Sequence, residues 1–201
     1  MNTQTKLAIG LVGIVLLALG IGLSLSYKQP DPMPPWVHKV DWQNKPGDAA
    51  RIEELLWTGI SPYRTEYETV NISAGSGSSG LRLRVIATAK DSEYPDIYDF
   101  VYEGDKLLLT GYLLEAIPQE YRNEAIGLAL GNQEIASSVI GSGTPSVKRV
   151  LPSTAEKFYA PKTLLSVTWE GTSALIDPDE RKVANIWKAG AQDSQVRGGS
   201  K

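Results

Sequence analysis

Three carboxylates in four positions, Asp177-Pro178-Asp179-Glu180, form the densest set of metal-binding groups in the chain. A calcium loop gathers six or more oxygens and usually needs a glycine for its sharp turn, and here neither Gly nor Asn completes the set. Pro178 presets φ and acidic residues suit a loop in water, so the stretch reads as a corner between strands. Zinc takes three or four His, Cys or carboxylate ligands, but the chain has no cysteine and a single histidine, His38. His38 lies in the proline-rich spacer, where nothing holds it as the base of a triad. Ser-x-x-Lys, Gly-x-Ser-x-Gly and Walker-type glycine motifs are all absent. No metal, cofactor or catalytic residue is expected.

Paired carboxylates are the remaining route to catalysis. Glu53-Glu54, Asp96 with Asp99, and Glu115 with Glu120 are the candidates for an acid–base pair. Neighbouring helix carboxylates point to different faces, and most such groups are solvated charges. A binding role has more to draw on: Arg82, Arg84, Tyr98, Tyr102 and Tyr112, with Tyr94, supply the residue types that favour interfaces. They are the candidate binding face, although half-buried strand aromatics explain the tyrosines equally well. Asn71-Ile72-Ser73 is a glycosylation sequon beside a Gly/Ser stretch.

The elements around these residues are set by composition and periodicity. Of 201 residues 42% are hydrophobic and 21% charged, as in a folded protein, and the net charge of −3 without basic–aromatic runs excludes a nucleic-acid surface. Leu7 to Leu25 is 19 residues without a charge, enough helix to span the roughly 30 Å hydrocarbon layer. Residues 1–26 therefore read as a single-pass membrane anchor or, with Ser24-Leu25-Ser26 as a cleavage pattern, as a signal peptide cut near Ser26. Either reading puts the C-terminal body outside the membrane. Residues 27–47 read as a proline-rich spacer, with Trp36 and Trp42 as the first contacts of the folded body.

Asp48 is the expected N-cap of a helix through Gly59, with Ile52, Leu55 and Leu56 on one face. "YETVNIS" reads as a short strand, Ser73–Gly80 as a flexible loop, and "LRLRVIATA" as a strand with Leu81, Leu83, Val85 and Ala87 inward. Asp96 to Pro118 reads as a hairpin turning at Gly104-Asp105, with Tyr98, Phe100 and Tyr102 on one face. Two short helices follow, broken at Gly131-Asn132. Their apolar stripes are Ile126, Ala129 and Leu130, then Ile135, Val139 and Ile140. "SVKRVLP" is a strand. A hairpin about Glu170-Gly171 pairs Trp169 with Thr172, Val167 with Ala174 and Leu165 with Ile176. Past the acidic corner, Asp177 faces Lys182 and Ile176 faces Val183. Residues 189–201 have nothing to bury and read as a disordered tail.

Within 119–188, "EAIGLALGNQEIASSVIG", "VKRVLP" and "VTWEGTSALIDPDERKVANI" resemble the helix, first strand and closing hairpins of PepSY-type domains, particularly small exported archaeal forms. The likeness covers about Glu120 to Lys188. Arg181 stands where that family usually has Gly, at a cost on the order of 1 kcal/mol if the position is left-handed. The resemblance implies an extracytoplasmic, non-catalytic module of the kind attached to peptidase propeptides and envelope proteins. Residues 48–118 open with a helix and continue with strands, so they read as a divergent second copy.

The fold expected is therefore α+β: an N-terminal transmembrane helix, then antiparallel sheets packed with short helices, the C-terminal half PepSY-like. The function expected is a membrane-anchored binding module with a protein partner such as a peptidase. The alternatives are a self-assembling structural component of the envelope and, behind it, a carboxylate-based hydrolase.

Overall fold

The computed structural model describes residues 33–78, 80–152 and 162–188. The apolar run Leu7–Leu25 and the C-terminal tail lie outside them, and among the described residues no helix is long and apolar enough to cross a membrane.

Alternation of apolar and polar residues builds most of the described body. β1 (Val40–Gln43), β2 (Tyr67–Gly77), β3 (Gly80–Ala89), β4 (Asp96–Glu103) and β5 (Lys106–Leu114) form one five-stranded sheet in sequence order. β1 joins β2 in parallel and the other neighbours pair antiparallel. β6 (Ser146–Val150), β7 (Leu164–Trp169), β8 (Thr172–Asp177) and β9 (Lys182–Lys188) form a second, antiparallel meander. Three helices accompany them: α1 (Ala49–Gly59), α2 (Gln119–Leu130) and α3 (Gln133–Ser138).

The α+β expectation is corrected. Strand makes up 46% and helix 21% of what is described, a mostly β protein with two sheets. Two misreadings account for the difference. Trp36–Gln43, read as spacer, enters the sheet, with β1 beside β2 and the Val37 bridge to Tyr67. The Gly/Ser stretch, read as a loop, stays in strand: β2 and β3 pair as far as Gly77 with Gly80. Low side-chain bulk permits this, since a Cβ on Gly77 would stand 2.9 Å from Arg82 Cγ.

Each sheet has its own core. α1 lays Ile52 and Leu56 against Tyr67, Val70, Val85 and Phe100. Leu55 is half-buried, and Asp48 precedes the helix without capping it through its side chain. α2 and α3 bring Ala125, Ala129, Ile135 and Val139 onto Val147, Val167, Trp169 and Ile176. The break between these helices is made by Asn132, whose side chain accepts from the Glu134 and Ile135 N–H groups. Leu130 and Ile140, expected inside, are 43% and 84% exposed. Arg122 takes an inward position on α2 instead.

Candidate functional site

The acidic corner shows how this chain uses carboxylates. Every pairing expected around it is present, from Trp169 with Thr172 through Leu165 with Ile176 to Asp177 with Lys182 and Ile176 with Val183. Asp177 Oδ1 accepts the Asp179 and Glu180 N–H groups at 3.1 and 3.0 Å, closing the turn on itself. Lys162 Nζ lies 2.8 Å from Asp177 Oδ2 and 3.3 Å from Glu180. Burial alone would raise the Asp177 carboxyl, but Lys162 and the two N–H groups outweigh it and hold it below its ordinary value. Arg181 has φ +51°, the left-handed conformation in which a side chain is strained. Among the described residues no three potential ligands converge to hold a metal.

The candidate acid–base pairs do not assemble as pairs. Glu53 accepts from Trp42 Nε1 at 2.6 Å, while Glu54 is bound to Arg51 at 2.7 Å. Asp96 and Asp99 fall on opposite faces of β4 because they are three residues apart. Glu115 is 3.9 Å from Lys148, and Glu120 is exposed at the start of α2. His38 belongs to the folded body: its N–H bonds the Tyr67 carbonyl and its ring pairs with Glu66 at 2.8 Å, both side chains exposed.

The same period of two divides the candidate binding face. Arg82 and Arg84 are exposed on the open side of β3. Tyr98 is on the other side, 1% exposed and stacked on Phe100, with the half-buried Tyr102 beside it. Tyr112 is half-buried, and its hydroxyl accepts the Leu151 N–H at 3.3 Å. Tyr94, 43% exposed, receives the Arg122 guanidinium over its ring at 5.1 Å. Of the strand residues in this set, Arg82 and Arg84 are the exposed ones. Arg84 makes a two-pronged bond to Asp99 at 2.8 and 3.0 Å, and Arg82 has no ion pair among the described residues. They overlook a shallow groove of about 610 Å³ lined by Ser73, Gly75, Arg82, Arg84, Asp99 and Val101. Beside it on the open face run Ile86, Ile97 and Leu113, cross-strand neighbours that are half-buried. Asn71 projects from the middle of β2, opposite Ile86 and exposed, rather than from a loop.

Tyr98 belongs to a buried polar junction that sequence reasoning missed. Arg149 on β6, 4% exposed, reaches Asp96 on β4, 1% exposed, with Nη2 to Oδ2 at 2.8 Å. The same Nη2 donates to the Tyr98 hydroxyl at 2.9 Å, which in turn donates to the Ser61 carbonyl at 3.2 Å. The Tyr67 hydroxyl donates to Asp96 Oδ2 at 2.6 Å, and the Ala116 N–H to Oδ1 at 2.8 Å. Burial pushes the Asp96 carboxyl up, against the pull of Arg149, Tyr67 and Ala116, and pushes the Tyr67 and Tyr98 hydroxyls up as well. With so many bonds satisfied, the cluster ties the first sheet to the second. The signal for Asp96 was available: it shares the period-two face of Tyr98 and Phe100. For Arg149 it was not, since Val147-Lys148-Arg149-Val150 gives each face one valine and one cation.

No protein-family model matches the chain, and neither a curated protein nor a solved structure matches it.

Proposed function

We propose that the chain is a membrane-tethered, non-enzymatic binding module, held by residues 7–25 with its body outside the membrane, whose open five-stranded face takes a protein partner. The observation that carries this reading is that face. It combines Arg82, a cation without an ion pair among the described residues, with the Arg84–Asp99 pair and the apolar row Ile86, Ile97 and Leu113. Leu108, 65% exposed and paired with Val101, extends the apolar surface to the edge strand. Arginine beside modest apolar area is the composition of a transient interface. The resemblance of Glu120–Lys188 to PepSY-type domains supports the partner class, a peptidase or another envelope protein. The junction supports a non-catalytic role, because Asp96 is bonded by Arg149, Tyr67 and Ala116 deep between the sheets.

The test is site-specific photo-crosslinking from position 82 or 108 of the full chain in its native membrane. A discrete heterologous adduct, missing when the probe replaces buried Leu83, is expected. Absence of any adduct contradicts the reading, and an adduct of two copies moves the chain to the self-assembling class. A reporter fused after Lys201 should be cleaved by protease added outside; its protection contradicts the orientation.

A further inference from the structure

We infer that Asn71 carries an N-linked glycan, its amide nitrogen bonded to the first sugar of a saccharide received from a lipid-linked donor. Asn71-Ile72-Ser73 is the one Asn-x-Ser/Thr sequence in the chain. The fold presents both of its working groups. Residues i and i+2 of a strand share a face, so Asn71 and Ser73 turn to the open side of β2 while Ile72, 1% exposed, turns to the core. Asn71 is exposed, flanked by Asp41 on β1 and Ile86 on β3.

Nothing in the strand itself calls for this residue type. Asparagine is depleted in strands, since its short amide competes for backbone hydrogen bonds and packs poorly on a pleated face. The other described asparagines each have a local use for the amide. Asn44 donates to the Ala74 carbonyl, Asn123 accepts from Gln119, Asn132 caps α3 and Asn185 accepts the Ile186 N–H. Asn71 makes no side-chain hydrogen bond among the described residues. A free amide in mid-strand, with a hydroxyl two residues on and on the same face, is accounted for by the modification that needs both groups.

In the transfer, Asn71 Nδ2 forms a bond to the anomeric carbon of the sugar. The bond from that carbon to the donor's phosphate breaks, and the lipid phosphate leaves with the electron pair. The amide gives up one proton to a base of the membrane-bound transferase. The inference rests on one part of the proposed function, the location of the body outside the membrane. It leaves the contact groove open, because Arg82 stands opposite Gly75, four residues and about 13 Å along β2 from Asn71. The glycan borders the face on its β1 side and leaves the partner β3 to β5.

Peptide mass mapping of the full chain from its native membrane tests the assignment. Trypsin releases residues 65–82 as one peptide, since no Lys or Arg lies between Arg64 and Arg82. Most copies of that peptide should be heavier by whole sugar residues in the wild type and in Ser73→Thr, and of unmodified mass in Asn71→Gln and Ser73→Ala. An increment kept in Asn71→Gln puts the sugar on the neighbouring serines, and one kept in Ser73→Ala shows that the hydroxyl is not read; either overturns the assignment. An unmodified wild-type peptide, with the reporter after Lys201 cleaved from outside, overturns the inference and leaves the proposed function standing. An unmodified peptide with the reporter protected overturns the inference together with the location it rests on.

Discussion

The two sheets of this molecule are built alike and dressed differently. Each follows helix with a four-stranded antiparallel meander, β2–β5 after α1 and β6–β9 after α2 and α3. In the first, one face carries the core and the other carries Arg82, Arg84, Asp99 and the Thr69–Thr88 hydroxyl pair. In the second, both faces hold buried apolar residues. Leu165, Val167 and Ile176 lie under the helices, while Leu164 and Leu175, at 4% and 5% exposure, cluster on the other side with Val150 and Trp187. The contrast in dressing suggests a division of labour, in which the second sheet is scaffold and the first keeps a face for contact.

The largest effect should come from the residue that joins the sheets. Arg149→Met leaves Asp96 buried without its cation, and the loss expected is about 3–5 kcal/mol in chemical denaturation. Adding Asp96→Leu should recover much of it, since an apolar pair of similar volume tolerates burial that a lone carboxylate does not. Loss without recovery would mean that the tyrosines, rather than the charges, hold the junction. Trp169→Ala tests the second sheet alone. It removes a side chain 7% exposed from the α2–α3 core and should cost roughly 3–5 kcal/mol. An unchanged melting midpoint would put Trp169 on a contact surface and undo the division proposed.

A smaller effect, visible in its pH dependence, is expected at the corner. Asp177 is held below its ordinary 3.8 in the fold, so its contribution is present above that value and lost as pH falls through the depressed one. Asp177→Asn keeps an oxygen for the turn but loses the pull of Lys162. The stability gap between wild type and variant should close on acidification, and a gap that stays constant would show the charge to be irrelevant. The smallest change belongs to Arg181→Gly. Relief of φ +51° contributes about 1 kcal/mol, offset in part by loss of the exposed Glu124 ion pair. A net gain below about 1 kcal/mol is expected, and a net loss would mean that the ion pair with α2 outweighs the strain.

What could be read in advance, and what could not, follows from how local each signal was. The closing hairpins were legible to the residue, because alternation and the turn at Glu170-Gly171 fix the same register. The helix break at Asn132 was legible for a similar reason, a short polar side chain placed to cap. β1 was hidden by the prolines before it and by its parallel partner, 30 residues away, which no hairpin rule finds. The binding face was misjudged by ignoring parity: Arg84 and Tyr98 occupy adjacent strands on opposite sides. The junction was invisible because it is made only when Arg149 meets a carboxylate 53 positions earlier.

Native-state hydrogen exchange of the full chain and of Arg149→Met, followed at Val85 in the first sheet and Val167 in the second, tests the central claim that the buried pair makes the two sheets one unit. In the wild type both amides should exchange through a single opening of equal free energy, and in the variant the two values should fall and separate. Sheets that already open independently in the wild type, or that stay coupled in the variant, would contradict it.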